Sequence, residues 1–178
     1  SRPSAVAWSL RGRRLVAPPE GDLRVRPTAD RAREALFSIL QRWPQGPFLD
    51  LCAGTGAVGL EAHSRGYGPV ACVEAGEPAW TCLQRNLAGT PVQAVRSDLR
   101  RLKANRFQGQ AVVFLDPPYD QAAGLWKATA DLLRAWIAPQ GVLVFETARD
   151  QALEAHPSWT WTEVRTYGAA AFHFGEPR

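Results

Sequence analysis

The sequence lacks several features that would place it in other classes of protein. Its 178 residues include no methionine, so Ser1 follows an initiator or lies inside a longer chain. No run of about 18 apolar residues occurs, which argues against a membrane-spanning helix. Residues 1–15 also lack the continuous apolar stretch of a signal peptide, so we expect none.

Cysteine is scarce and poorly arranged for cross-linking. The three cysteines are an odd number and form no CxxC pair (Cys52, Cys72 and Cys82). This pattern argues against both a disulfide framework and a zinc site, and it is typical of a reducing compartment. We therefore expect a cytoplasmic protein without a metal.

Positive charge is concentrated near the start of the chain. Residues 1–42 contain nine arginines and four acids, a net charge of +5, whereas residues 43–178 contain 12 basic and 13 acidic residues. A compact basic segment fits a polyanionic partner such as nucleic acid, although it could also be an ordinary solvated surface. The candidate RNA contacts in it are Arg11, Arg13, Arg14 and Arg24.

The pattern of predicted elements changes at about residue 44. Residues 1–44 predict two short strands turning near Arg11-Gly12, a loop, and a helix from Asp30. We expect residues 1–44 to be a basic extension that contacts RNA, and residues 45–178 to be a catalytic domain. The two should form one compact unit.

Strands and helices alternate regularly through residues 45–178. Such alternation predicts an α/β fold with a doubly wound, mainly parallel sheet. Two late segments, around 161–167 and 170–174, predict an antiparallel pair. The other predicted strands are 48–51, 70–73, 92–95, 111–115 and 141–145, and the predicted helices are 57–64, 78–87, 99–103 and 122–137.

A glycine-rich turn follows the first strand of this domain. The segment Gly54-Thr55-Gly56-Ala-Val-Gly59 fits the dinucleotide fingerprint GxGxxG, which alone is a weak signal and leaves a nicotinamide cofactor open. Asp50, four positions earlier, favours another ligand. A carboxylate there can meet a charged amino group, whereas a pyrophosphate would be repelled.

Acidic residues follow the later strands, where open α/β sheets bind their ligands. Glu74 ends the second strand and can accept hydrogen bonds from both hydroxyls of a ribose. Asp98 follows the third strand, within reach of an adenine amino group. Glu146 follows the fifth strand and has no assigned role.

The segment Asp116-Pro117-Pro118-Tyr119 follows the fourth strand. Two prolines fix the backbone and remove N–H donors, so the loop presents a carboxylate and a carbonyl to one place. These acceptors could take both hydrogens of an exocyclic base amine, whose nitrogen lone pair is otherwise delocalised into the ring. Tyr119 could stack on the base and position it. The segment thus predicts methylation of an amino group.

Four stretches of the sequence resemble one bacterial family, the 16S ribosomal RNA (guanine-N2) methyltransferases. They are LRGRRLVAPP, RPTADRAREALFSIL, LDLCAGTGAVGLEAHSRG and VVFLDPPY, and the end, from Tyr167-Gly168 to Phe174, is similar as well. The resemblance implies the class I methyltransferase fold of seven strands, with S-adenosylmethionine as cofactor and ribosomal RNA as substrate. A small extension precedes that fold.

The resemblance also implies roles for individual residues. Asp116 to Tyr119 would be catalytic, and Arg26 and Thr28 would join the RNA contacts beside the active site. Cys52 replaces a more usual aromatic, which we interpret as packing. The expected cofactor-binding residues are Asp50, Gly54, Thr55, Gly56, Glu74, Asp98 and Leu99.

Three further functions remain open at this point. DPPY is shared with adenine-N6 methyltransferases acting on DNA or RNA, although residues 1–44 are few for a target-recognition region. A nicotinamide-dependent oxidoreductase and an RNA-binding module without activity are also compatible with parts of the pattern. We expect a monomer without membrane or metal, acting on ribosomal RNA that is either free or part of a partly assembled 30S subunit.

Overall fold

Helices and strands alternate along the described part of the chain, which is residues 15–17 and 30–178 of a computed structural model. The helices are α1 (Asp30–Leu40), α2 (Ala57–Ser64), α3 (Ala79–Leu87) and α4 (Ala122–Trp136). The strands are β1 (Phe48–Leu51), β2 (Val70–Glu74), β3 (Gln93–Arg96), β4 (Gln110–Leu115), β5 (Ile137–Ala148), β6 (Trp159–Tyr167) and β7 (Ala170–Pro177). Short 3-10 turns cover Leu99–Arg101 and Tyr119–Gln121.

The seven described strands form one sheet in the order β3-β2-β1-β4-β5-β7-β6. Strands β1 to β5 are parallel, and β7 lies antiparallel between β5 and β6. The chain therefore winds outward in two directions from the boundary between β1 and β4. That boundary is the topological switch point, where α/β sheets bind their ligands. The predicted fold class is confirmed.

Three strands are longer, by two residues or more, than the sequence pattern predicted. β5 starts at Ile137 rather than Gly141, because Ile137 pairs with Gln110 before the register shifts and resumes at Val142. β6 starts at Trp159, and β7 runs on to Pro177, which pairs with Trp159. The predicted strands were too short because pairing with a neighbouring strand determines where a strand ends. No local sequence pattern marks that pairing.

Both faces of the sheet are covered. Leu36 of α1, Leu60 of α2 and Leu83 of α3 pack into one apolar core. On the other face, Trp126 and Trp136 of α4 pack into a second core. Burial on both faces explains why β4 is continuously apolar from Ala111 to Leu115, as a central parallel strand should be.

A buried ion pair network joins α1 to α2. The Glu61 side chain is 0% exposed, and its Oε1 accepts a hydrogen bond from Arg33 Nε at 3.1 Å. Its Oε2 lies 2.7 Å from a guanidinium nitrogen of Arg65, which also stacks on Phe37. The helix that follows the glycine turn is thereby fixed to α1.

The first residues of the chain are only partly described. Most of the predicted hairpin and all of the following loop lie outside the described residues, and residues 15–17 of the hairpin form no strand. The helix predicted from Asp30 is confirmed. Because α1 packs into the same core as α2 and α3, it belongs structurally with the sheet. The division at residue 44 therefore stays a proposal. Among the described residues, none forms a helix long and apolar enough to cross a membrane.

Candidate active site

The turn between β1 and α2 is held close to the sheet by its glycines. Gly56 has φ +83°, and a Cβ there would lie 2.7 Å from Leu83 Cδ1. A Cβ on Gly59 would lie 2.4 Å from Cys72 Sγ, so α2 can approach β2 only because this residue is glycine. Cys52 also adopts a left-handed backbone, with φ +58°, which is unusual for a side chain of this type.

The buried Asp50 side chain stabilises this turn. It is 1% exposed, and its Oδ2 accepts a hydrogen bond from the Gly59 N–H at 3.0 Å. Burial raises the pKa of this carboxyl well above its usual range, despite the Gly59 hydrogen bond. The side chain therefore organises the start of α2 and is not among the residues that line the cavity described next.

A cavity of about 600 Å³ opens at the carboxyl ends of β1 to β4. Five predicted site residues line it: Glu74, Asp98, Leu99, Pro117 and Pro118. The predicted residues Gly54, Thr55, Gly56, Asp116 and Tyr119 are not among its lining residues. Other lining residues were not predicted from the sequence, among them Cys52, Ser97, Arg100, Gln121 and Leu125.

Glu74 connects the turns after β1 and β2. Its Oε1 accepts a hydrogen bond from the Gly54 N–H at 3.0 Å, and its Oε2 accepts two more, from Ala75 and Gly76 at 2.9 and 3.1 Å. A carboxylate offers about four acceptor positions. Three of these acceptor positions are occupied, so about one remains for a ligand. A second would become available if the hydrogen bond from Gly54 were broken.

Asp98 is paired with a residue two positions further on. Its Oδ2 lies 2.7 Å from a guanidinium nitrogen of Arg100, and its Oδ1 accepts hydrogen bonds from Arg100 N and Nε. These bonds lower the pKa of Asp98. The carboxylate is thus ionised and held at the rim of the cavity, and a ligand amino group there would meet Arg100 as well.

Acidic side chains surround Cys52 although the protein is basic overall. Burial raises the pKa of the Cys52 thiol well above its usual range, and nearby carboxylates raise it further (Glu74, Asp116, Asp50 and Asp98). Cys52 also packs against the core on the α4 face, as the sequence analysis expected. Its surroundings therefore favour a cationic ligand over a phosphate.

The DPPY segment turns the chain from β4 into α4. Pro117 is buried, and both prolines line the cavity. Asp116 is half-buried directly after the last residue of β4, and Tyr119 begins the 3-10 turn that leads into α4. The sheet thus brings this segment to the same edge as Glu74 and Asp98, because β4 lies beside β1.

Asn86 links this region to the N-terminal segment. Its side chain accepts a hydrogen bond from the Val16 N–H at 2.7 Å and donates to the Val16 carbonyl at 2.9 Å. The same amide also donates to the Thr55 carbonyl at 2.8 Å. One buried asparagine in α3 therefore holds both the glycine turn and a residue of the first, basic part of the chain.

The expected RNA contacts lie outside the described residues, namely Arg11, Arg13, Arg14, Arg24, Arg26 and Thr28. Glu146, which had no assigned role, lies in β5 opposite Phe172 and is 3% exposed. Across residues 15–17 and 30–178, no three His, Cys, Asp or Glu side chains gather in a way that could hold a metal ion.

Comparison with known proteins agrees with this architecture. Residues 5–176 match the family described as Conserved hypothetical protein 95. The ribosomal RNA small subunit methyltransferase D of Haemophilus influenzae is 31% identical over 178 residues, covering 94% of this chain and 90% of that protein. A solved structure from Escherichia coli superposes with a TM-score of 0.76 at 27% identity, covering 94% and 93% of the two chains.

A more distant structure shares the fold alone. The rRNA methyltransferase of Streptomyces viridochromogenes superposes with a TM-score of 0.68 at 15% identity, covering 92% of this chain and 88% of that one. The class I methyltransferase fold is therefore shared well beyond close relatives. The chain belongs to the family described as Conserved hypothetical protein 95, which is the family of the small-subunit ribosomal RNA methyltransferases D that its sequence resembles.

Proposed function

We propose that this protein transfers a methyl group from S-adenosylmethionine to the exocyclic N2 amine of a guanine in small-subunit ribosomal RNA. One observation carries the proposal: Glu74, Asp98 and the prolines of the DPPY segment line a single cavity at the switch point of the sheet. The names of the relatives support ribosomal RNA as the substrate class.

The cavity fits an adenosyl cofactor in charge and size. A volume of about 600 Å³ lies within the range of small-molecule sites. The sulfonium and amino groups of the cofactor are cationic, and the carboxylates around Cys52 suit them. S-adenosylmethionine would supply an electrophilic methyl group. Glu74 would accept a ribose hydroxyl at its free acceptor position, and Asp98 would accept from the adenine amine.

Three further predicted cofactor contacts would act through the glycine turn. Gly54 and Gly56 would allow the backbone to approach the amino-acid part of the cofactor, with Thr55 between them. Asp50 would contribute indirectly, because it holds Gly59 and with it the start of α2. Leu99, which lines the cavity, would pack on the adenine ring.

The DPPY segment would prepare the target amine for reaction. Asp116 and the Pro117 carbonyl would accept its two hydrogens and draw the nitrogen toward tetrahedral geometry, which frees its lone pair. The proton released as the new N–C bond forms would leave by way of the Asp116 carboxylate. Tyr119 would stack on the base, and Pro118 would keep the segment rigid.

RNA would be held mainly through phosphate contacts. We propose that the arginines of residues 1–44 make them, with Arg26 and Thr28 nearest the active site. The protein would act as a monomer, and the substrate would be free ribosomal RNA or RNA in a partly assembled 30S subunit.

Methyl transfer followed by nucleoside analysis tests the proposed function. Tritiated S-adenosylmethionine should label 16S ribosomal RNA from cells that lack the modification, and not RNA that already carries it. The labelled nucleoside should be N2-methylguanosine. Recovery of N6-methyladenosine would instead establish the other reaction open to a DPPY protein, and no transfer at all would contradict the proposal.

Replacing Glu74 with alanine should weaken cofactor binding. Calorimetry should give micromolar affinity for the wild type, about −8 kcal/mol. The variant should lose about 1–3 kcal/mol, because hydrogen bonds to a charged acceptor disappear. Glu77→Ala is the matched control, since it removes an exposed acid from the same loop outside the cavity. Equal affinities for wild type and Glu74→Ala would remove Glu74 from the cofactor site.

A further inference from the structure

A dense group of positive charges follows β3. Five exposed cations lie within eleven residues, and the only acid among them is Asp98. We name this group the basic strip; it consists of Arg96, Arg100, Arg101, Lys103 and Arg106. It lies outside the arginine-rich first quarter of the chain, so it is a separate concentration of charge.

The basic strip contrasts with the rest of the domain. Residues 43–178 contain 12 basic and 13 acidic residues, and five of those cations and one acid fall between residues 96 and 106. The remainder holds seven cations and 12 acids, a net charge of −5 against +4 for the segment of the strip. The near-neutral net charge of residues 43–178 is therefore the sum of a positively charged segment and a negatively charged remainder.

Three cations of the basic strip form no salt bridge within the described part of the chain. Arg96 lies 3.7 Å from Glu77, and Arg100 is paired with Asp98. No carboxylate among residues 15–17 and 30–178 lies within 4 Å of Arg101, Lys103 or Arg106. By contrast, Arg42 and Arg165 at the other edge of the sheet are both paired with Glu163. Unpaired like charges repel one another in the folded state, so a clustered set suits a polyanion.

The segment that carries the basic strip is anchored to the core beside the candidate active site. Arg100 lines the cavity, and Leu99 next to it is buried. At the far end, Phe107 is buried against Trp136, whose indole N–H donates to the Lys103 carbonyl at 3.3 Å. Arg106 stacks on Phe107, with its guanidinium carbon 4.6 Å from the ring centroid. The segment that carries these cations is therefore anchored to the core at both ends, and one of those ends lies at the cavity.

We infer that the basic strip binds the phosphodiester backbone of the RNA substrate beside the target base. This inference rests on the proposed function and adds a second contact surface to the N-terminal arginines. Phosphates one nucleotide apart would find successive cations along the strip, and arginine suits them because its planar fork bonds phosphate bidentately. Such contacts set position and affinity and do not select sequence.

The salt dependence of RNA binding tests this inference. We would measure dissociation constants of 16S ribosomal RNA against salt concentration for wild type and for the triple variant Arg101→Ala, Lys103→Ala, Arg106→Ala. Removing one phosphate contact should flatten the log–log slope by about 0.7–0.9, so the triple variant should lose about 2–3. The KM for RNA should rise, while the single-turnover rate at saturating RNA and the cofactor affinity stay unchanged.

Arg96 and Arg100 stay intact in this variant, because both are paired and Arg100 lines the cavity. A milder pair, Arg101→Gln and Lys103→Gln, keeps the Arg106–Phe107 stacking and should flatten the slope by about 1.5. The matched control is Arg42→Ala, Arg165→Ala, Arg178→Ala, which removes the same charge at the β6 edge, opposite β3. Its slope should equal that of the wild type.

The outcomes separate this inference from the proposed function. A wild type that transfers no methyl group to RNA contradicts the proposed function itself. An active wild type whose salt slope is unchanged in both strip variants contradicts the inference alone, and the strip is then a solvated surface. Equal flattening in the β6-edge control also contradicts it, because the effect would then report total charge and not this surface.

Discussion

Replacement of Asp116 by alanine is expected to slow methyl transfer about 10²–10³-fold, or about 3–4 kcal/mol in the activation barrier. Under the proposed mechanism, this carboxylate accepts a hydrogen of the amine, and the bond strengthens as the nitrogen becomes tetrahedral. The loss should therefore appear in the single-turnover rate. RNA affinity should change little, because phosphate contacts dominate it.

Substitutions at two neighbouring positions make the Asp116 experiment specific. Asp120→Ala removes an exposed acid from the same turn and should leave the rate close to that of the wild type. Tyr119→Ala should cost about 1–3 kcal/mol of stacking, whereas Tyr119→Phe should be nearly silent if only the ring face contacts the base. A near-normal single-turnover rate in Asp116→Ala would mean that DPPY is only a rigid turn.

Replacement of Glu61 by alanine is expected to lower the free energy of unfolding by about 3–5 kcal/mol. The reason is the burial of one of its charge partners. Arg33 is 6% exposed, and its Nε would lose the carboxylate it now contacts at 3.1 Å, which leaves the largely exposed Asp30, 2.7 Å from Arg33 Nη2, to compensate a buried guanidinium. Urea unfolding of wild type and variant, followed by circular dichroism, would measure the difference.

Two variants serve as references for Glu61→Ala. Glu154→Ala removes an exposed acid, and such a surface change should stay within about 0.5 kcal/mol of the wild type. Replacing Glu61, Arg33 and Arg65 together by Leu, Met and Met should recover much of the loss, because no buried charge is then left unpaired. A Glu61→Ala protein as stable as the wild type would show that the network contributes nothing to stability.

The order of elements could be predicted from the sequence because local patterns encode it. Helical spacing identified α1, and the bounds predicted for α2 and β1 match those of the structure. The glycine-rich turn after β1 was also predicted, whereas the close packing of Gly59 against Cys72 was not. Strand ends were less predictable, because β5 and β7 are extended by pairing with distant neighbours.

Side-chain partners could not be predicted, since they depend on geometry that residue type does not fix. Asp50 was expected to face a ligand, yet its carboxylate is turned into the helix start at Gly59. Asp98 was placed correctly at the cavity, but its pairing with Arg100 was not foreseen. The basic strip was not predicted because the charge of residues 43–178 was summed as a whole. In that sum, the local excess of cations cancels against acids elsewhere in the same range.

The position of β4 between β1 and β5 affects the order in which parts of the protein can fold during synthesis. Leu51 pairs with Leu115, 64 residues further along the chain, so the two central strands meet only after a long loop closes. Non-local pairing of this kind slows folding, because the entropy of loop closure is lost before the contacts form. On the ribosome, β1 to β3 emerge first and can pair, but the cavity has no DPPY wall until residues 116–119 have followed. A nascent chain that ends before them has no complete pocket, so a ligand of this cavity can stabilise only chains in which β4 has already joined the sheet.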